Sequence, residues 1–415
     1  MSRIGEVLVP ARLGSSFRWL LASSWTSQLG DGILLAAGPL LVASLTGDPL
    51  LVALAATVQW LPALLFGLLA GALTDRLDRR LIVLVVDLSR AAVLVVLTLA
   101  VVTERVTIAV VLAALFLLAT AEVFADNSSQ TLVPMLVARD DLAVANSRLQ
   151  TGFITVNQLA GPPLGAALFT VGAAWALGVQ AVAIALGAVL VTRVVLPARE
   201  PRTGARTAMR HDIAEGVRWV RHHAAVRTLV LTITIFNVTF GAAWSVLVLY
   251  ATERIGLGEV GFGLVTTVGA VGGIVGGLTY GWITRRVSLS DLMRIGLVVE
   301  TLTHLALALT TSAWVALPVF FAFGAHAFIW GTTSVAVRQR AVPGALQGRV
   351  GSVNVVGVYG GLVVGSALGG VLAQHWGVTA PFWFAFAGSA VFVVLIWRSL
   401  RHIAHADEAP VPAAA

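Results

Sequence analysis

Leu50–Leu73, LLVALAATVQWLPALLFGLLAGAL, is followed by Thr74–Arg80, TDRLDRR, and then by Leu81–Val102, LIVLVVDLSRAAVLVVLTLAVV. A helix needs about 20 predominantly apolar residues to cross roughly 30 Å of hydrocarbon. Both outer runs are long enough, and the five charges packed into Thr74–Arg80 must face water. The stretch therefore reads as one membrane crossing, a charged turn and a return crossing.

Working outward, the same pattern fills the chain. Ten more spans are expected at Phe17–Leu45, Thr107–Ala125, Leu149–Thr170, Ala173–Leu196, Leu229–Ala251, Gly261–Ile283, Leu292–Thr310, Ala313–Val337, Val350–Ala373 and Ala380–Trp397. Composition agrees. The 415 residues are 58% hydrophobic and only 11% charged, against roughly 25% charged in soluble domains. A chain so poor in charge cannot cover a water-facing exterior, so its outer surface faces lipid.

The net charge of +7 comes from arginine alone, because there is no lysine. A P-loop, which needs a lysine on the phosphates, is excluded, and so is lysine Schiff-base chemistry. The chain has no cysteine, which removes disulfides, thiolate nucleophiles and cysteine zinc sites. The arginines sit at the ends of apolar spans, so they report topology rather than nucleic-acid binding. Arg76, Arg79 and Arg80 follow span two, and Arg139 follows span four. Seven arginines lie between spans six and seven, Arg285 and Arg286 follow span eight, Arg338, Arg340 and Arg349 follow span ten, and Arg398 and Arg401 end the chain. The alternate loops hold only Arg105 and Arg254. This asymmetry puts both termini in the cytoplasm of a multi-pass cell-membrane protein. A reporter fused after Arg401 is expected to be active only in the cytoplasm, and periplasmic activity there would overturn the helix count.

The organisation expected is a cytoplasmic tail at 1–16, a six-helix bundle at 17–196, a central cytoplasmic loop at 197–227, a second bundle at 228–398 and a tail at 399–415. Within the loop, His211–Val226 mixes apolar with Arg and His residues, as an amphipathic helix on the inner membrane surface does; a solvated linker reads equally well. An internal repeat links the halves. At an offset of 204 residues Leu142 pairs with Leu346, Gly161 with Gly365, Leu164 with Leu368 and Gly165 with Gly369. Six spans per repeat give both halves one orientation, as in transporters built from parallel repeats. Glycines four apart, Gly67 and Gly71, Gly161 and Gly165, Gly269 to Gly281, and Gly361 to Gly369, let helices touch. They concentrate on spans two, five, eight and eleven, which favours a surface for two bundles to rock along over static packing.

The turn Gly71-Ala72-Leu73-Thr74-Asp75-Arg76-Leu77-Asp78-Arg79-Arg80 resembles the loop signature Gly-x-x-x-Asp-Arg-x-Gly-Arg-Arg of the major facilitator superfamily. Asp78 departs from the glycine there. With Asp87 and Arg90, Gly30-Asp31, Leu142–Ser147 and Glu215–Val220, it is similar to the efflux branch containing enterobactin and macrolide exporters. The resemblance implies an all-α membrane fold of twelve helices in two bundles and transport by alternating access. It also implies a conformational latch of Gly71, Asp75, Arg76, Arg79 and Arg80, in which Arg79 reaches Asp126 on helix four. Gly161, Pro162 and Gly165 resemble a helix-five motif associated with exporters. The arginine that the superfamily often carries in helix four is missing, which weakens any proton mechanism copied from members that use it.

Ionisable groups within spans are costly and usually functional. Asp31 lies near mid-span with Gln28 one turn away, and no basic residue of span one is placed to pair with it. It is therefore expected to be an unpaired proton carrier, with Glu122 in reserve. Glu300 and His304, four apart on span nine, are expected to pair structurally, and Arg90 and Arg294 to snorkel. Spans one, four, seven and ten line the cavity in the superfamily. The cavity candidates are Gln28, Gln59, Trp60, Asn157, Asn237, Trp244, His326, Trp330, Asn354 and Tyr359, whose aromatic members suit a large, partly apolar substrate.

The function expected is export of an amphipathic small molecule in exchange for protons by a monomer, without cofactor or metal. Nutrient import would call for more cavity charge. A lipid-moving protein or membrane-embedded enzyme is the reading from another class, but no metal motif such as His-Glu-x-x-His is present.

Overall fold

The computed structural model describes residues 10–74, 77–196 and 209–400. The described residues form helices and connecting turns, with no strand among them. In chain order the helices are α1 Gly14–Leu45, α2 Pro49–Thr74, α3 Arg79–Val102 and α4 Ile108–Leu136. Next comes α5, made of Leu142–Gly152, a π-helical Phe153–Ala160 and Gly161–Val171. Then follow α6 Ala173–Val191, α7 Met209–His222, α8 Ala224–Trp244, α9 Glu259–Thr284, α10 Leu289–Leu309, α11 Ala313–Ala341, α12 Gln347–Trp376 and α13 Ala380–Ile396.

Ten of these are single helices long and apolar enough to span a bilayer. The other two spans are α13, which is only 17 residues long, and α5, which the π-segment divides. The cause of that division is local. Pro162 and Pro163 have no N–H to donate, and the Gly161 N–H bonds to the Val156 carbonyl five residues back. Prolines inside a helix ordinarily kink it; here they are accommodated by a widened turn, the usual form of a π-bulge.

Several helices run past the ends expected from hydropathy. α4 continues from Ala125 to Leu136, and α5 starts at Leu142 rather than Leu149. The added turns carry Asp126, Asn127, Ser128 and Gln130, or Asn146, Ser147 and Arg148. Hydropathy marks where hydrocarbon ends, whereas backbone hydrogen bonding continues the helix beyond it. Between Asp75–Arg76 and α3, Asp78 has an extended backbone (φ −69°, ψ 113°), and its carboxylate accepts from the Arg80 and Leu81 N–H groups. Aspartate here supplies an N-cap, so the departure from glycine has a structural use.

The described residues condense into two compact units. One is drawn from Met1–Gly47, Val58–Arg202 and Leu257–Thr267, the other from Asp48–Thr57, Thr203–Gly256 and Val268–Ala415. The first turns of α2 therefore belong with the second unit, where Gly370 of α12 faces Ala53 and Leu50. The first turns of α9 belong with the first unit, where Gly263 faces Pro162 and Ala166, and Thr267 donates to the Leu159 carbonyl at 3.0 Å.

The glycine rows mark where helices come closest. In the first unit a Cβ on Gly161 would lie 2.5 Å from the Gly32 Cα, and one on Gly165 would strike the Ile33 carbonyl of α1. In the second unit Gly361 meets the Thr234 carbonyl, Gly365 that of Val238 and Gly369 that of Ala242, all on α8. Positions related by the 204-residue repeat thus do the same job, seating α5 on α1 and α12 on α8. These contacts are packing within each unit. On α9, Gly269 lies against Gly324, Gly272 against Phe321, Gly276 against Ala325 and Gly277 against Phe328, all of α11, while Gly67, Gly71 and Gly281 face open space.

Candidate functional site

In α1 the sequence Gly30-Asp31-Gly32 is clamped on both sides. A Cβ on Gly30 would sit 2.9 Å from Ile184 of α6, and one on Gly32 would sit 2.9 Å from the Cα atoms of Asn157 and Gly161 of α5. Two glycines let neighbouring backbones close in, and Asp31 between them points to α3. There its carboxylate pairs with the Arg90 guanidinium. Arg90 also holds Asp87 at 3.1 Å, and the Ser27 hydroxyl donates to the second Asp87 oxygen at 3.3 Å. Arg90 is 3% exposed, Asp87 2% and Asp31 8%.

Two expectations fall here. Asp31 is paired, and Arg90 does not snorkel. Arg90 lies far enough inside α3 that its guanidinium meets α1 before any water, and burial of that charge requires partners. The cluster continues onto α4. There Glu122 is close enough to Arg90, and Asp126 to Asp31, Arg90 and Asp87, for their charges to be felt, although neither acid forms an ion pair with the guanidinium. Glu122 is half-buried and Asp126 is exposed. The guanidinium holds Asp31 and Asp87 directly, and Glu122 and Asp126 stand within its electrostatic reach without an ion pair to it, so the four carboxyl groups run from a buried pair to an exposed acid. An arginine on α3 provides the cation that α4 lacks.

The latch expectation is corrected in one contact. Arg79 donates to the Thr131 carbonyl at 3.1 Å and to the Met135 sulfur at 2.9 Å, beyond Asp126, which belongs to the Arg90 cluster. Arg80 donates to the Val194 carbonyl at 3.0 Å. Asp75 and Arg76 lie outside the described residues. Asn157 is buried, donates to the Gln28 carbonyl at 3.3 Å and accepts from Gln158 at 2.6 Å. Gln28 therefore serves α5 through its backbone, and no bond from its side chain to Asp31 is present. Gln59 is half-buried and Trp60 38% exposed.

The second unit holds another buried set. Glu300 of α10 pairs with His326 of α11 at 3.5 Å, not with His304 on its own helix. His304 is fully buried and stands edge-on to Trp244 at 6.0 Å. Trp244 also packs with Phe240, Phe320 and Phe323. At the repeat offset Glu122 corresponds to His326, so both units carry an ionisable group there. Asn237 turns back to the Ile233 carbonyl at 2.7 Å. Trp330 and Asn354 each hold a buried polar atom without a partner, and Tyr359 is half-buried. Sequence reasoning missed Arg90 as a site residue and Gln180, which is fully buried on α6 with neither amide atom bonded. The Asp87–Arg90 spacing inside an apolar run was the available signal for the first.

A twelve-helix membrane protein with two parallel repeats, a charged turn after its second span and buried charge inside a helix bundle is a transporter of the major facilitator type. Residues 8–413 match the transmembrane secretion effector family, and the chain belongs to it. It is 29% identical over 386 residues to the multidrug efflux pump Tap of Mycolicibacterium fortuitum, covering 88% of this chain and 90% of that protein. It is 23% identical over 363 residues to macrolide efflux protein A of Streptococcus pyogenes, covering 85% and 87%. The fold is similar to that of a bacterial homologue of the iron transporter ferroportin in an inward-facing state, with a TM-score of 0.74, 16% identity and coverage of 93% and 98%.

Proposed function

We propose that this chain is a proton-driven exporter of amphipathic small molecules that works by alternating access, with both termini in the cytoplasm. The observation that carries the reading is the shared cation of the first unit. Arg90 cannot neutralise Asp31, Asp87, Glu122 and Asp126 together, and uncompensated charge inside a span is costly. Protons are the simplest complement. A proton arriving at exposed Asp126 passes to Glu122, and protonation of Asp31 frees Arg90 to turn towards the α4 acids. Because Asp31 is seated on α5 and α6 through its flanking glycines, exchange of that pair alters how α1 meets α3. The relatives' activities, multidrug and macrolide efflux, support an amphipathic substrate, as does the Trp244 aromatic cluster near His326.

Expression in a pump-deficient host is expected to raise resistance across a drug panel that includes macrolides, and a protonophore to abolish the gain. Unchanged susceptibility to the whole panel would count against export. The latch is tested separately. Asp75→Asn is expected to slow transport while leaving substrate binding and folding intact, and wild-type rates in that variant would remove it.

A further inference from the structure

The transport reading leaves α7 unused. One face of this helix is built into the second unit. Glu215 pairs with Arg349 of α12 at 2.7 Å, a Cβ on Gly216 would sit 2.6 Å from the Arg349 carbonyl oxygen, and Val220 packs with Val226, Val230, Val342 and Val350. The other face is exposed and carries Val217, Arg218, Arg221 and His222. These residues, with Ala214 and Arg227, line a cavity of about 440 Å³. Arg227 is fixed there by donating to the Arg221 carbonyl at 2.9 Å. The Arg218 and Arg221 guanidinium groups make no ion pair among the described residues, which leaves them free to take an anion.

The cavity lies at a membrane boundary. His223 caps α8 by accepting from the Val226 N–H at 3.3 Å, and burial holds its imidazole below the ordinary value, which keeps that nitrogen an acceptor. The helix begins at the next residue and its apolar span at Leu229, so Arg218, Arg221 and Arg227 all precede the expected hydrocarbon and fall at the depth of phospholipid head groups. Guanidinium groups bind phosphate oxygens in a fixed two-pronged geometry, and exposed Val217 beside them offers apolar surface to the adjoining glycerol and acyl region. We propose that α7 and the start of α8 form a binding site for the head group of an anionic phospholipid, with its phosphate held by Arg218, Arg221 and Arg227.

The test is native mass spectrometry of the full-length protein in mild detergent, titrated with phosphatidylglycerol, phosphatidylcholine or glycerol 3-phosphate. The wild type is expected to take phosphatidylglycerol at lower concentration than the other two. Arg218→Gln/Arg221→Gln should weaken that binding about five-fold for each arginine removed. Arg285→Gln/Arg286→Gln, which removes the same charge elsewhere, should leave it unchanged. Equal losses in both double variants would reduce the effect to net charge and overturn the proposal. Equal affinity for glycerol 3-phosphate would assign the cavity to a free phosphate ester and overturn it as well. Since both target arginines are exposed, folding should be unaffected. If the double variant nonetheless fails to purify, the wild type decides alone, because no preference for phosphatidylglycerol over phosphatidylcholine refutes the site.

Discussion

Asp31→Asn is expected to abolish uphill, proton-driven efflux while preserving substrate binding and exchange down a substrate gradient. Asparagine keeps the size of the side chain and one hydrogen bond to Arg90, but it cannot take up or release a proton. Arg90 retains Asp87 at 3.1 Å, so the variant does not leave a buried guanidinium without a counter-charge, the situation that costs about 3–5 kcal/mol in buried pairs. The fold should therefore survive, and a transport defect can be read as loss of coupling. The assay is substrate movement in proteoliposomes with an imposed pH gradient. If the asparagine variant accumulates substrate against its gradient at the normal rate, Asp31 is not the coupling residue, and Glu122 takes its place as the next to test.

Gly161→Val is expected to cost about 3 kcal/mol of stability, near the upper end for overpacking a close contact. The added Cβ would sit 2.5 Å from the Gly32 Cα and 2.6 Å from its carbonyl carbon. Both are backbone atoms, so no side chain can give way, and α1 and α5 must separate. Gly32 adjoins Asp31, so the separation should also disturb the pairing with Arg90. The readout is the monodisperse fraction left after heating in detergent, compared with Gly281→Ala, whose site faces open space and which should behave as wild type. Equal stability of the two variants would mean that α1 and α5 do not meet as described.

The two predictions mark how far the sequence could be read. Gly161 and Gly165 were visible as small residues at helical spacing, and their repeat partners as Gly365 and Gly369. Spacing says that a helix face can approach another closely, but it does not name the other helix. The structure assigns α1 and α8 as those partners. Asp31 was visible as a costly charge within a span. Its partner Arg90 is 59 positions away along the chain, on α3, which is not among the spans that the resemblance assigns to the cavity. Periodicity describes one helix at a time and carries no signal for a pair formed between two.

The amino-acid sequence by itself determined the membrane environment, the number of crossings, the repeat and the family, because each follows from apolar run length and local motif spacing. Hydrocarbon admits few alternatives to a bundle of helices, so composition decides the class. The tertiary structure decided which charges meet. It moved Asp126 from the latch to the surroundings of Arg90, gave Glu300 to His326 instead of His304, and accommodated the helix-five prolines in a π-helical turn. These outcomes depend on the rotation and depth of each helix against its neighbours, which are set by close backbone packing and by the need of every buried charge to find a partner.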